Sequence, residues 1–99
     1  MGENTTLIVT ATPNPDEMAS VQSYLQGVLP LLLAAGGSLV KRQKVTSVIN
    51  GKPSGMVLVM DFDDAESVSS LFASDGYKAL VPARDKGFSD MNIMLATSM

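Results

Sequence analysis

The chain has 99 residues, of which 45% are hydrophobic and 17% charged, a balance that predicts one folded domain over residues 1–99 and excludes intrinsic disorder. The net charge is -3 without a basic stripe, so nucleic acid is not expected as a partner, because its phosphates must be neutralised on binding. Cysteine and histidine are absent, which excludes disulfides, thiolate catalysis, Ser-His triads, histidine-bound haem and most zinc sites, and no metal or cofactor is predicted.

The first predicted element is a strand over residues 6–12, which is rich in β-branched types. Leu7, Val9 and Ala11 alternate with polar or β-branched neighbours, the spacing of a strand that buries one face. The strand is predicted to stop at Pro13.

A helix is predicted to follow, because Asn14 can cap it, Pro15 suits its first position and Glu17 stands three residues after the cap. Apolar residues at spacings of three and four predict its buried side: Met18, Val21, Leu25, Val28 and Leu32. The glycine pair at residues 36 and 37 predicts its end. Pro30 has no N–H to donate, so a kink is expected about one turn before it.

Two further strands are predicted in the middle of the chain. Residues 38–49 mix apolar, basic and β-branched types, which predicts an edge strand with one solvated side formed by Lys41, Arg42 and Lys44. A turn is predicted over residues 50–55. Residues 55–62 are apolar on both alternating sets, which predicts a third strand buried on both faces.

The second helix is predicted to begin at a cap formed by Asp63, with Glu66 completing a capping box. Its predicted buried side consists of Val68, Leu71 and Phe72. Residues 74–76 are predicted to break this helix, and a short helical turn leads toward Pro82. The last strand is predicted over residues 89–97.

The predicted order is βαββαβ, the α+β ferredoxin-like plan, in which a four-stranded antiparallel sheet carries both helices on one face. The first and third strands lie in the centre of that sheet. The other face has no helix to cover it, although the third strand is apolar on both sides. A second copy of the chain is the simplest cover, so the sequence predicts a homodimer through the sheet face that closes a barrel between subunits.

A stretch from Phe62 to Leu95 resembles a known family. The resemblance rests on Phe62, Asp63, Ala65, Glu66, Ser74, Asp75, Gly76, Tyr77, Leu80 and the run PARDKGF at residues 82–88, with Tyr24, Pro30 and the glycines 36 and 37 earlier. On these residues the chain resembles the DUF1330 family of small uncharacterised bacterial proteins, within the dimeric α/β-barrel superfamily. The resemblance implies a dimeric barrel and no established reaction.

Neighbouring families of that superfamily include cofactor-free monooxygenases, lactone isomerases and haem-dependent enzymes, and the missing histidine argues against haem. The chain departs from the family after residue 37, where SLVKRQ lacks the aromatic residue and glycines often found there. A pocket lined by that segment is therefore expected to differ in shape.

Four residues are candidates for a site. Arg84 offers a planar fork that suits a carboxylate or phosphate, with the alternative that it caps a helix or pairs with Asp85 or Asp90. Tyr24 and Tyr77 can hold a substrate oxygen or act as phenolic acids, with the alternative of interior rings whose hydroxyls bond to backbone.

Asp61 is the fourth candidate, because its place in the third strand puts a carboxylate on an apolar face, where burial would suit it as a general base. The alternative is a solvated carboxylate at the strand end. Two functions stay open: a small-ligand-binding or structural homodimer, and a cofactor-free enzyme acting on a small, partly apolar acid or ketone. The enzyme requires the candidate side chains to converge in one pocket.

The N-terminal segment lacks the charged and apolar regions of a signal peptide, and no apolar run approaches the roughly 20 residues of a membrane span. We therefore expect a cytoplasmic protein of bacterial type without a membrane partner.

Overall fold

The structure is a computed structural model and describes residues 4–99, so Met1 and Gly2, with the start of the expected N-terminal segment, lie outside the described residues. The strands are β1 (Thr5–Pro13), β2 (Ser38–Lys44), β3 (Met56–Phe62) and β4 (Phe88–Ala96). The helices are α1 (Met18–Ala34), α2 (Ala65–Phe72), α3 (Asp75–Lys78) and α4 (Val81–Gly87), and a 3-10 turn (Pro15–Glu17) precedes α1.

The four strands form one antiparallel sheet in the order β2-β3-β1-β4, which confirms the ferredoxin-like prediction with the first and third strands in the centre. Leu7 of β1 stands beside Met60 of β3 and Leu95 of β4. Because paired residues share a face, this register fixes which side chains meet the helices.

The core lies between the sheet and the helices. Its strand residues are Leu7, Val9, Ala11, Leu58, Met60 and Phe62, and α1 supplies Val21, Tyr24, Val28 and Leu32. Leu7 and Met60 are fully buried, as expected for the central pair of strands. The predicted alternation of β1 is therefore confirmed.

The start of α1 differs in part from the prediction. The Asn14 side chain accepts a hydrogen bond from the Asp16 N–H at 3.0 Å and so caps the 3-10 turn before α1, whereas α1 itself has no side-chain cap. The Asn14 N–H donates to the Gly87 carbonyl at 2.8 Å, so the predicted capping box with Glu17 is wrong.

Helix α1 runs through Pro30 as a single element and ends at Ala34. Gly36, just beyond it, has a φ of 94°, the left-handed conformation that favours glycine. The apolar stripe is wrong at Met18, which is 45% exposed in the first turn, whereas Tyr24 takes a core position.

Strand β2 is shorter than predicted, because it ends at Lys44, which pairs with Met56 at the start of β3. Beyond Lys44 there is no neighbouring strand to pair with, so the β-branched residues up to Ile49 form a loop. The basic residues also do not share one side: Lys41 pairs with Val59 and Arg42 with Leu58, on opposite faces, although all of β2 is exposed.

The cap of α2 is Asp64, not Asp63 as predicted. The Asp64 carboxylate accepts a hydrogen bond from the Ser67 N–H at 2.7 Å, and this bond lowers the pKa of Asp64 below its ordinary value. Both aspartates suit a cap, but the extended backbone at residue 64 aims only its side chain at the helix. Val68 and Leu71 are buried as predicted, and Phe72 is half-buried.

The face of the sheet away from the helices, called the open face below, is mixed in character. Its central positions are Thr6, Ile8, Thr10, Val57, Val59, Asp61, Asn92 and Met94. The third strand is apolar on this side at Val57 and Val59 as predicted. Val59, Ile8 and Met94 form one apolar row across three strands, whereas Thr10 and Asn92 continue the row of Val57 with polar side chains. None of the helices in residues 4–99 is long and apolar enough to cross a membrane.

Candidate functional site

Three of the four candidate residues meet on the helical side of the sheet. The hydroxyls of Tyr24 and Tyr77 lie 2.9 Å apart and share a buried hydrogen bond. Arg84 Nη1 donates to the Tyr77 hydroxyl at 3.1 Å, and Arg84 Nε donates to Asp85 Oδ1 at the same distance. The result is a continuous chain of hydrogen bonds from the core to an exposed carboxylate.

Local structure positions each member of this chain. Ser74 caps α3, since its hydroxyl accepts a hydrogen bond from the Tyr77 N–H at 3.2 Å and fixes the turn that carries this tyrosine. Arg84 follows in α4, one helical segment later. Gly87 ends α4 against α1, where an added Cβ would lie 2.8 Å from the backbone nitrogen of Val21. This close approach brings Arg84 and Tyr24 onto neighbouring helices.

The rings around Tyr77 form an aromatic cluster. The Phe72 and Tyr77 rings meet edge to face with centroids 4.7 Å apart, and the Tyr24 ring contacts Phe88 in the same manner at 5.5 Å. The Arg84 guanidinium carbon lies 5.9 Å from the centroid of the Tyr77 ring, within range of a cation-π contact. These contacts hold the Tyr77 hydroxyl in one place.

Burial dominates the electrostatics of the inner end of the chain. Tyr24 is 4% exposed, and loss of solvent, followed by its hydrogen bond to Tyr77, raises the pKa of Tyr24 above its ordinary value. At the outer end the hydrogen bond to Tyr77 is the main cause that raises the pKa of Arg84. Tyr24 is therefore neutral and Arg84 positively charged at every physiological pH.

A cleft of about 360 Å³ opens beside Tyr77 and Arg84. We call it the apolar cleft, and its other walls are Leu7, Val68, Ser69, Phe72, Ile93, Met94 and Leu95. The two hydrogen bonds of Arg84 do not use its Nη2 amino group. The cleft thus combines one cationic donor, one phenol and an apolar wall.

A second cleft of about 450 Å³ lies on the other side of Arg84. We call it the polar cleft, and it is lined by Arg84, Asp85, Phe88, Ser89, Asp90, Met91 and Ile93. Arg84 and Ile93 border both clefts, so the two form a continuous groove along the free edge of β4. The polar cleft holds two carboxylates, those of Asp85 and Asp90, beside one guanidinium, so its charged residues are net negative.

The buried space between the sheet and α1 is small. The cavity there measures about 30 Å³, room for roughly one water, and it lies among core side chains including Tyr24, Val28 and Leu58. Two further surface clefts, of about 420 Å³ between α1 and Arg42 of β2 and of about 460 Å³ between α1 and α2, contain none of the four candidate residues.

Asp61 does not join the site. It pairs with Thr6 on the open face, and its carboxylate accepts a hydrogen bond from the Thr6 hydroxyl at 3.0 Å. The sheet separates it from Tyr77 and Arg84. The Asp61 side chain is half-buried beside a polar partner. This environment is intermediate between the two predicted alternatives, a buried general base and a solvated carboxylate.

The residues of β4 that line the apolar cleft, Ile93, Met94 and Leu95, were not predicted as site residues. Ile93 and Leu95 share a face with Leu7 and Val9 by register, and their alternation was visible in the sequence. The sequence did not reveal that α2 and α3 leave space above them. Within residues 4–99, no group of three or more acidic side chains is arranged to hold a metal ion.

The fold and this groove define a small α+β protein of ferredoxin-like topology with a cationic cleft at one sheet edge. The chain belongs to the DUF1330 family, a domain of unknown function, whose model matches residues 5–99. The family resemblance proposed from the sequence is thereby confirmed. No curated protein sequence matches the chain.

Solved structures share the fold at low identity. A protein of unknown function from Rhodopseudomonas palustris aligns with a TM-score of 0.81 at 12% identity, covering 100% of this chain and 85% of that one. A dimeric ferredoxin-like protein of unknown function from Bacteroides fragilis aligns with a TM-score of 0.62 at 12% identity, covering 96% of each chain.

The cofactor-independent oxygenase SnoaB from Streptomyces nogalater, solved as a single-residue variant, aligns with a TM-score of 0.69 at 12% identity, covering 98% of this chain and 94% of that one. At these identities the likeness concerns the fold alone.

Proposed function

We propose that this protein is a homodimer that binds a small anionic ligand with an apolar body in the apolar cleft. The observation that carries the proposal is the position of Arg84, whose guanidinium borders an apolar wall and keeps one amino group outside its two internal hydrogen bonds. A cleft of about 360 Å³ lies near the lower end of the range for small-molecule sites.

Either hydroxyl can donate in the Tyr24–Tyr77 hydrogen bond, and with Tyr24 as the donor Tyr77 can donate toward the ligand. A phenol oxygen can accept from Arg84 and from Tyr24 at once, and its own proton then stays available. A carboxylate that accepts from Arg84 Nη2 can accept from Tyr77 as well. Carboxylates suit such paired donors, and the bonds are strong because both the acceptor and the guanidinium are charged.

A thermal-shift titration with butyrate, hexanoate and octanoate tests this function, with hexanol as the uncharged analogue. Hexanoate is expected to raise the melting temperature, and hexanol at equal concentration is not. Arg84→Ala is expected to weaken hexanoate binding roughly ten- to hundredfold, the effect of losing a hydrogen bond to a charged group. Isothermal titration calorimetry measures the change.

Lys44→Ala is the control, because it removes an exposed cation from β2, at the opposite edge of the sheet, whereas Arg42 of the same strand borders an apolar cleft beside α1. Equal loss of binding in both variants would point to general attraction of anions instead of a site at Arg84. Absence of any shift with all three carboxylates would overturn the proposed ligand class.

Two properties of the isolated chain support the homodimer. Its surface of 6428 Å² exceeds the roughly 5,400 Å² expected for a folded monomer of 10.4 kDa. The excess, on the order of 1,000 Å², includes the exposed loop 45–55 and the chain end, and it leaves room for part of the roughly 800 Å² per partner of a standard interface. The Cα atoms also form a slab of 44 × 35 × 17 Å, as expected when helices cover only one face of a sheet.

A cofactor-free enzyme is the second candidate, favoured by the proton that Tyr77 can direct into the apolar cleft. The fold likeness to a cofactor-independent oxygenase is compatible with this candidate. Levulinate, which carries both a carboxylate and a ketone, is a suitable probe. The hydrogens on the carbons next to its ketone exchange with deuterium in heavy water, and NMR measures the rate. The protein should accelerate this exchange, and the Tyr77→Phe variant should accelerate it less. If the protein does not accelerate this exchange, the enzyme candidate is rejected and only the binding function remains.

A further inference from the structure

The loop between β2 and β3, residues 45–55, projects from the sheet and is called the β2–β3 arm. Its base is closed by a hydrogen bond from the Val45 N–H to the Gly55 carbonyl at 2.9 Å. The Gly55 N–H in turn donates to the Ala11 carbonyl at 2.9 Å, which ties the base to β1. Beyond this base, Ile49 is 99% exposed and Val48 is 42% exposed. The arm therefore presents adjacent apolar side chains to solvent from an anchored base.

The arm and the polar cleft lie at the same end of the sheet but at opposite edges. Met56, directly after the arm, belongs to β3 beside the β2 edge, and it pairs with Ala11, which pairs with Met91 of the polar cleft. Three strand spacings, roughly 15 Å, separate the two edges. The arm thus connects the two strands on the far side of the sheet from β4, while the groove lies at the β4 edge.

A face-to-face dimer offers two simple directions for its twofold axis. An axis across the strands sets β2 against its own copy, which brings Lys41, the basic residue of β2 on the open face, toward Lys41 of the partner subunit. An axis along the strands sets β2 of one subunit beside β4 of the other, where Asp90 lies on the same face. Charge complementarity favours the second arrangement. It also places the partner's arm at the end of β4 that holds the polar cleft.

We propose that the β2–β3 arm of each subunit closes the polar cleft of its partner, so that both chains build the groove around Arg84. The proposal rests on the homodimer proposed above. The arm contains Lys52 and no acidic residue, which matches Asp85 and Asp90 in the cleft.

Apolar complementarity and reach are also favourable. Ile49 can pack against the apolar part of the polar cleft, formed by Phe88, Met91 and Ile93. A loop of this length, folded back on itself, extends roughly 15 Å, enough to pass the edge of a neighbouring sheet. The ligand in the apolar cleft would then be held by one chain and enclosed by the other.

Crosslinking is a direct test, because the natural chain has no cysteine to interfere. The double variant Ile49→Cys with Ser89→Cys places one thiol on the arm and one in the polar cleft. A short bismaleimide is expected to convert most of this variant to covalent dimers on a denaturing gel. Matched controls are the single variant Ile49→Cys and the double variant Ile49→Cys with Ser70→Cys, whose second thiol lies on exposed α2.

Sedimentation of the same samples separates the two proposals. If sedimentation finds dimers but positions 49 and 89 do not crosslink, the proposed role of the arm is wrong and the homodimer stands. Crosslinking as strong in either control would overturn that role too, because the arm would then contact something other than the polar cleft. If sedimentation finds monomers, both the proposed homodimer and the proposed role of the arm are wrong.

Ligand binding gives a second readout. Ile49→Ser is expected to raise the dissociation constant for hexanoate severalfold at protein concentrations where sedimentation still finds dimers. An unchanged constant in the dimeric variant would show that the arm does not enclose the ligand.

Discussion

The two faces of the sheet are built from alternating residues of the same strands, yet their side chains differ in burial and polarity. On the helical face, Leu7 and Met60 are fully buried, and the face continues into the groove around Arg84. On the open face, Thr6 and Asp61 bond to each other among half-buried valines. Burial on one face stabilises the fold of the single chain, whereas the other face is the one proposed above for association.

The largest expected effect concerns the helical face. Met60→Ala should lower the free energy of unfolding by about 2–5 kcal/mol, because the lost side chain leaves a cavity in a close-packed core. Val59→Ala, one residue away on the open face, should cost less at protein concentrations where the chain is monomeric. Urea unfolding of both variants measures the difference. Equal losses would mean that the two faces contribute alike to the fold of one chain.

The next effect concerns the open face. Ile8→Asp introduces a carboxylate at its centre, and burying an unpaired charge in an interface is costly. The dimer dissociation constant should rise at least about a hundredfold, close to 2.7 kcal/mol. Sedimentation equilibrium measures it, with Ser70→Asp on exposed α2 as control. A dimer that tolerates Ile8→Asp must use another surface, and the open face would then need a different explanation.

The smallest effect concerns the inner end of the hydrogen-bond chain. The folded pKa of Tyr24 is raised above the ordinary value of about 10, so the folded state holds this proton more tightly than the unfolded state. The stability that Tyr24 contributes is fully present below pH of about 10 and is lost as the pH rises further.

Tyr24→Phe should therefore lower stability at neutral pH by about 1 kcal/mol and make the alkaline loss of stability less steep. Urea unfolding at several values between roughly pH 8 and 11 measures both quantities. If the variant and the natural chain lose stability with the same slope, Tyr24 does not stay protonated in the folded state.

Much of the fold follows from local sequence. Asn14 caps the 3-10 turn that leads into α1, the alternation of Leu7, Val9 and Ala11 gives the buried face of β1, and the element order gives the strand order. These features depend on residues close in sequence, so periodicity and capping chemistry predict them well.

The errors have a common physical origin. Asp63 and Asp64 are chemically equal caps, and only the backbone direction at residue 64 selects between them. Residues 45–49 are suited to a strand, but β3 starts at Met56 and offers them no partner. Met18 fits the spacing of a buried stripe, yet it stands at the solvent end of α1. In each case the outcome depends on where the backbone places the residue in three dimensions, which spacing along the chain does not record.

The sequence by itself determined the elements, their buried faces and the family, because these depend on spacing and on motifs along the chain. The tertiary structure alone decided which candidates share a site. Tyr24 and Tyr77 are 53 residues apart and meet because α1 packs beside the segment before β4, whereas Asp61 was carried to the other face by the alternation of β3. Contacts between distant segments depend on crossovers and packing, which no local pattern records.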